Sequence, residues 1–426
     1  MLEAIGVRSI AALFAPIPAE VLASADFSEV PAALDDIALK KHLLALSSKS
    51  VDMDRYPCFL GAGIYDHYIP PIVGHICGRS EFYTAYTPYQ PEVSQGVLQS
   101  IYEFQTLICQ LTGMDVSNAS MYDGATALAE AVIMAADLTR RRRVVLPSSL
   151  HPAFRQVVET YLEPLAIGIE TVAIDPETGR LPLPGLTDAD ACIVVQSPSF
   201  FGIVEDLEAH ADNAHAAGAL LVALVDPISL GVLQTPGAAG ADIVVAEGQG
   251  LGCFPAFGGP LLGLFACRKE FVRRLPGRIV GGTVDQDGTR AYTMTLRTRE
   301  QDIRRDTATS NICTNQALFA LAATVYLASM GKQGMAQVAN LCVQKAHYAA
   351  ERIAALPGYA LAFSGPFFKE FVVTTPGDPV ALNRRLHEAG ILGGLPLPER
   401  GDALLLCVTE QRSKAEIDAL VAALAS

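Results

Sequence analysis

From residue 97 onward, apolar positions recur in two rhythms. VLQSIYEFQTLICQLTG spaces them three and four apart, as one face of a helix, and stops at Gly113; MYDGATALAEAVIMAADLTRRRR restarts the same rhythm. The short, nearly unbroken apolar runs VVLPS, TVAID, ACIVVQSPS, ALLVALVDP and IVVAEG then alternate with the helical stretches HPAFRQVVETYLE and LEAHADNAHAAG. Strands apolar on both faces, alternating with helices, predict a mainly parallel, doubly wound α/β sheet covered on both sides. Beyond the long helix NICTNQALFALAATVYLASMG come helix MAQVANLCVQKAHYAAERIAAL, strand EFVVTT, helix VALNRRLHEAG, strand ALLLCVT and helix KAEIDALVAALA. They predict a smaller C-terminal α/β domain over 331–426, with its boundary near Gly331, after a large α/β domain over 56–330. Residues 1–55 hold helical spacing in SIAALF and LKKHLLALSSKS, broken by APIPAE and SEVPAAL, and read as a helical arm.

Residues 56–96 follow neither rhythm. They mix Gly, Pro, Tyr and His (YPCFLGAGIYDHYIPP through YTPYQPEVSQG), and long irregular segments inside a periodic chain are usually functional. Tyr65, His67, Tyr68, Tyr86, Tyr89 and Gln90 are its candidate site residues, although aromatic rings packed with satisfied polar tips would give the same composition.

Candidate chemistry gathers where the rhythm changes. Asp123 is a good helix N-cap, and the N–H groups of Gly124, Ala125 and Thr126 after it would suit an anion or phosphate; an ordinary capped helix has the same signature. Ligands of doubly wound sheets sit at the carboxyl ends of strands, where this chain places His151, Asp226 and Gln249. His151, followed by Pro152, could equally be a helix start. A carboxylate ending a buried strand, as Asp226 does, needs a partner or a ligand. The stretch 241–263, ADIVVAEGQGLGCFPAFGGPLLG, is a buried strand, a loop with Gly248, Gly250 and Gly252, and a returning apolar strand. Its glycines are spaced G-x-G-x-G, with Phe254-Pro255 where a helix would open, which disfavours a dinucleotide site. The stretch holds no lysine.

Composition narrows the partners. A net charge of -14 would repel a nucleic acid backbone, and the RRRR run at 140–143 is more simply a helix C-terminus complementing its dipole. The nine cysteines are scattered without CxxC pairs, as in a reducing cytoplasm, and neither a disulfide framework nor a metal site is expected. No signal-peptide pattern opens the chain and no apolar run is long enough for a bilayer, so a cytoplasmic, membrane-free protein is expected.

A phosphate seat, a strand-end carboxylate and a nearby ring outline a pyridoxal phosphate site. At that point FLGAGIYDHYIP, YTPYQPEVSQGVLQSIYEFQTLICQLTGMDVSNASMYDGATALAEA, FGGPLLGLFACRKEFVRRLPGRIVGGTVDQDG and TREQDIRRDTATSNICTNQAL resemble the glycine dehydrogenase (decarboxylating) P-protein, over nearly the whole chain. The likeness is nearest to subunit 1, the N-terminal half where the protein is split in two. The stretch TLRTREQDIRR departs from it, with Arg297 and Asp302 where the family tends to have Gln and His. The resemblance implies a pyridoxal-phosphate fold of type I. The reaction it implies is decarboxylation of glycine, with transfer of the aminomethyl group to the lipoyl arm of H-protein. It also aligns GADIVVAEGQG so that Gln249 stands for the family's His and Gly250 for its Schiff-base Lys. No other lysine of the chain stands at that turn, and Lys269, the nearest, reads as a solvated charge. The expectation is a chain inactive alone, with no catalytic residue certain in it and no cofactor bound covalently to it. Its partner, a homologous subunit 2, would hold pyridoxal phosphate. Asp123, Gly124, Ala125, Thr126, His151, Asp226 and Gln249 would then be a vestigial pocket, and segment 56–96 would reach the partner's active site. A structural scaffold, or a pyridoxal phosphate enzyme of other chemistry, are the rival readings.

With 50% hydrophobic residues, the chain has apolar surface suited to a large partner contact. The isolated chain is therefore expected to self-associate; a clean monomer by sedimentation at high concentration would contradict this.

Overall fold

Val144, Leu146, Cys192, Val194, Val222, Leu224, Ile243 and Val245 pack into one apolar core, and the residues interleaved with them, Val145, Ile193, Val195, Ala223, Val225, Val244 and Ala246, into another. Because successive side chains of a strand point to opposite faces, this division is the signature of a sheet covered on both sides. The computed structural model describes residues 1–25 and 27–426. The seven strands of the large sheet are β1 (Val116–Ser117), β2 (Arg143–Pro147), β3 (Gly168–Val172), β4 (Asp190–Ser197), β5 (Leu220–Val225), β6 (Ile243–Glu247) and β7 (Gly263–Cys267), in the order β1-β7-β6-β5-β4-β2-β3. Strands β2 to β6 pair in parallel, while β7 returns antiparallel to β6, with Ala246 opposite Leu264, and pairs with β1.

Helix Gly124–Thr139 packs on one face through Ala127, Ala131 and Ala135, whose small side chains let its axis lie close to the strands. Its N-terminus is fixed by a capping box: Asp123 accepts from the Thr126 N–H, and the Thr126 side chain from the Asp123 N–H. A hairpin of β8 (Ile279–Val284) and β9 (Arg290–Thr295) follows, with Asp287-Gly288 near its tip.

The C-terminal sheet has four strands, β10 (Ala360–Leu361), β11 (Glu370–Thr374), β12 (Leu395–Pro396) and β13 (Ala403–Cys407), ordered β10-β11-β13-β12 with every pairing antiparallel. Phe371, Val373, Leu404 and Leu406 face a core shared with Ile353, Leu386 and Leu420 of the surrounding helices. Val372, Ala403 and Leu405 face the other way, onto Phe200, Phe201 and Ile203 from the loop after β4. This contact brings the start of β11 to the carboxyl end of the large sheet. The helical run Ala317–Ala354 breaks at Gly331, whose φ of 58° and ψ of -175° are not helical.

By compactness the chain divides at Asp52, into Met1–Asp52 and Met53–Ser426. The first unit carries helices Leu2–Ile5, Ala19–Ser24 and Asp36–Ser47, none with a buried residue. Among the described residues no helix is long and apolar enough to cross a membrane.

Gly202 sits where the two sheets meet, and a Cβ there would lie 1.9 Å from the carbonyl oxygen of Glu370 while its φ is +85°. Gly202→Ala is therefore expected to cost at least about 2 kcal/mol of stability by denaturant titration. A loss within about 0.5 kcal/mol would contradict the close approach.

Candidate active site

Strand β5 is followed at once by Asp226, whose Oδ1 accepts from the Ile228 N–H at 2.9 Å and whose Oδ2 lies 2.6 Å from the ammonium of Lys369. Lys369 immediately precedes β11 and is only 2% exposed. Its Nζ also lies 2.9 Å from His67 Nε2 and 3.3 Å above the centre of the Tyr65 ring. Burial works against this ammonium, but the Asp226 carboxylate outweighs it and holds the amine above its ordinary range. Lysine can only donate, so His67 Nε2 is the acceptor and Nδ1–H donates to Glu410 Oε2 at 2.7 Å. The other Glu410 oxygen accepts from the Tyr68 N–H at 2.6 Å. Burial raises the Glu410 carboxyl; His67 and these hydrogen bonds override it and hold it down at about 2.

The irregular segment is fastened to this chain of charges at several points. The Tyr65 hydroxyl donates to Glu370 Oε2 at 2.8 Å, and the other Glu370 oxygen accepts from the Ala62 N–H at 2.7 Å. Gln249 imitates a strand: its Oε1 accepts from the Tyr65 N–H at 2.8 Å, while its Nε2 donates to the Tyr65 carbonyl at 3.0 Å and to that of Cys253 at 2.7 Å. Arg412 holds Asp66 at 2.7 Å. Next to Gln249, a Cβ on Gly250 would meet the His67 ring at 3.0 Å.

His151 lies across the same cavity, its ring centre 4.8 Å from that of Phe154 and 5.0 Å from that of Phe200. Burial lowers its pKa, and Nε2 meets the Ala62 carbonyl at 2.8 Å while Nδ1 accepts from the Ala153 N–H. The cavity is lined among others by Tyr65, His151, Asp226, Glu247, Lys369 and Glu370. At the helix N-terminus expected to seat an anion, the Gly124 N–H donates to Glu247 Oε2 at 2.9 Å and the Thr126 N–H to Asp123 at 2.7 Å. Glu247 accepts further from the N–H groups of Gln249 at 2.9 Å and Leu262 at 3.0 Å. Ala125, the next residue of the turn, is buried.

Of the residues singled out in the sequence, Tyr65, His151 and Asp226 line one cavity, while His67 and Gln249 stand behind it, bonded to Lys369 and Tyr65, with Gly250 next to His67. Tyr68, Tyr86, Tyr89 and Gln90 do not line it and are exposed. Tyr89 lies beneath Arg278 and Arg297, whose guanidinium carbons stand 5.7 and 5.6 Å from its ring centre. Lys369, Glu247, Glu370 and Glu410 were not anticipated. A Lys-Glu pair opening the apolar strand FFKEFVVT was the available signal, since charges there need buried partners.

The sequence matches the family described as Glycine cleavage system P-protein over residues 1–424. The chain belongs to the glycine cleavage system P-protein family. It is 54% identical over 435 residues to the probable glycine dehydrogenase (decarboxylating) subunit 1 of Desulforamulus reducens, covering 100% of this chain and 96% of that one. Its structure is similar to a crystal structure of glycine decarboxylase (P-protein) of the glycine cleavage system in inhibitor-bound form, with a TM-score of 0.95 and 44% identity over 100% of this chain and 96% of that one. A C-DES mutant with glycine covalently linked to its PLP cofactor shares the fold at a TM-score of 0.65 and 14% identity, over 88% of this chain and all of that one. The architecture is the pyridoxal-phosphate fold of type I. Arg297 and Asp302, the two departures from the P-protein pattern, pair with each other at 2.6 Å on the surface.

Pyridoxal phosphate chemistry asks for N–H groups free for the phosphate, a carboxylate for the ring nitrogen and a lysine for the aldehyde. In this P-protein chain Glu247 occupies the first, Lys369 the second, and Gly250 stands where the resemblance puts the third. The residues do not fit the cofactor.

The carboxyl groups here give stability opposite pH dependences. Burial raises Glu370 and Glu247 from 4.5 to about 7, so their contribution is complete below about 4.5 and is lost as pH rises through about 7. Glu410, held at about 2, contributes above 4.5 and loses that contribution as pH falls towards 2. Glu370→Gln is accordingly expected to gain stability relative to the parent from about pH 5 to about pH 8 in urea titrations; parallel curves would contradict the assignment.

Proposed function

We propose that this chain is the half of a two-chain glycine dehydrogenase (decarboxylating) that does not form the Schiff base. In the complex glycine is decarboxylated with pyridoxal phosphate, and the aminomethyl group passes to the lipoyl arm of H-protein. The lysine that binds the cofactor belongs to a homologous subunit 2. The observation that carries this reading is Gly250. It offers no amine at the turn where the family likeness requires one, and the His67 ring stands 3.0 Å from where a side chain would begin. The name subunit 1 borne by its relative, with a second chain implied, supports it. Nine free thiols suit a reducing compartment, and we place the complex in the cytoplasm.

Segment 56–96 is this chain's contribution to the partner's site. Tyr65 and His67 hold its shape through Glu370, Lys369 and Glu410, while Tyr68, Tyr86, Tyr89 and Gln90 are the exposed groups it offers. A phenol can orient a substrate carboxylate, so Tyr68→Phe or Tyr86→Phe is expected to lower turnover of the assembled enzyme about tenfold, over one kilocalorie per mole of transition-state stabilisation. Full turnover in both variants and in His67→Ala, with normal assembly, would favour a purely structural scaffold.

The test of the whole reading is purification of this chain alone and with its partner. Borohydride reduction after incubation with pyridoxal phosphate is expected to leave a pyridoxyl lysine only in the partner's peptides. A specific adduct on the isolated, folded chain would overturn it.

A further inference from the structure

The cavity is not vacated space. The N–H group and the carboxylate that a pyridoxal phosphate would need for its phosphate and its ring nitrogen are present and already engaged by other parts of this chain. The N-terminus of the sixteen-residue helix Gly124–Thr139 presents the Gly124 N–H to the Glu247 carboxylate at 2.9 Å, and that carboxylate also takes the N–H groups of Gln249 and Leu262. A phosphate seated there would accept the same kind of hydrogen bond from the same donors. At the other end of the cavity, the strand-end Asp226 meets a cation at 2.6 Å, as it would meet a protonated ring nitrogen, but the cation is Lys369. Both intruding side chains come from fixed backbone: Glu247 ends β6, and Lys369 enters from the small sheet with its remaining faces against His67 and Tyr65.

We propose that Glu247 and Lys369 are built-in surrogates for the phosphate and the pyridinium of the cofactor. They close this pocket against pyridoxal phosphate and convert it into the anchor of segment 61–69. The proposal rests on the reading of the chain as the half that does not carry the Schiff base, and deepens it. Lacking the Schiff-base lysine, the chain could still have held the cofactor non-covalently, and the surrogates exclude that. The anchoring follows from the same contacts, because the cation that neutralises Asp226 is also the donor to His67 and the charge above Tyr65.

The direct test uses pyridoxamine 5′-phosphate, which has the ring and phosphate but no aldehyde, and so reads pocket occupancy independently of any lysine. Equilibrium dialysis is run on the full chain as wild type, Lys369→Met, Glu247→Ala and the double variant. Wild type is expected to show no saturable binding up to about millimolar ligand, and the double variant to bind at least about tenfold tighter, with the single variants between. Saturable binding to wild type at the double variant's affinity, or a folded double variant that does not bind, overturns the proposal. Either result leaves the absence of a Schiff-base lysine untouched, which keeps the two readings separable. Removing one partner of a buried ion pair is destabilising, so the double variant can fail to fold. In that case the melting temperature of Glu247→Ala decides: inorganic phosphate should raise it and leave that of wild type unchanged. An equal response of the two overturns the proposal.

Discussion

An ammonium group without water has to be surrounded by acceptors and negative charge, or it loses its proton. Lys369, 2% exposed, meets that demand with groups from two places, Asp226 after β5 and His67 and Tyr65 from the irregular segment, while its own backbone leads into β11. Asp226 cannot shift without leaving a buried charge uncompensated. Breaking such a pair typically costs about 3–5 kcal/mol, whereas a surface pair such as Arg297–Asp302 is worth under about 1 kcal/mol. The small sheet is thereby tied to the carboxyl end of the large one, at the place where fold-type-I enzymes do their chemistry.

The same contact explains why a loop rich in glycine and aromatic residues is well defined. Tyr65 is held by its hydroxyl, ring face and both backbone groups, and His67 by both ring nitrogens. Among the groups the segment leaves outside is Tyr68, whose N–H is bound by Glu410, so its backbone is tied to the buried charges. In the proposed reading, a cofactor pocket that holds its own surrogates becomes a rigid support for a neighbouring surface, and binding and presentation are divided between two related chains.

Much of the fold was legible because two-faced burial writes itself as continuous apolar runs: β4, β5 and β6 lie where ACIVVQS, ALLVALV and IVVAEG predict them, and β7 returns after Gly258-Gly259 as expected. The β8–β9 hairpin was passed over although Asp287-Gly288 is a turn signal, since its strands alternate only weakly in burial. The need of Asp226 for a partner was readable from chemistry alone. The identity of that partner was not, because Lys369 arrives from beside a different sheet through tertiary packing, far in sequence from the turn around Gly250. Likewise the helix N-cap at Asp123 was plain, while Glu247, which engages the next N–H, looked like an ordinary strand end.

The most direct test is a crystal structure of the two-chain complex grown with pyridoxal phosphate. The account predicts cofactor density in the partner's pocket alone, with Lys369 on Asp226 and Glu247 at the Gly124 N–H in this chain. Cofactor density beside His151, with Lys369 or Glu247 displaced, would contradict it.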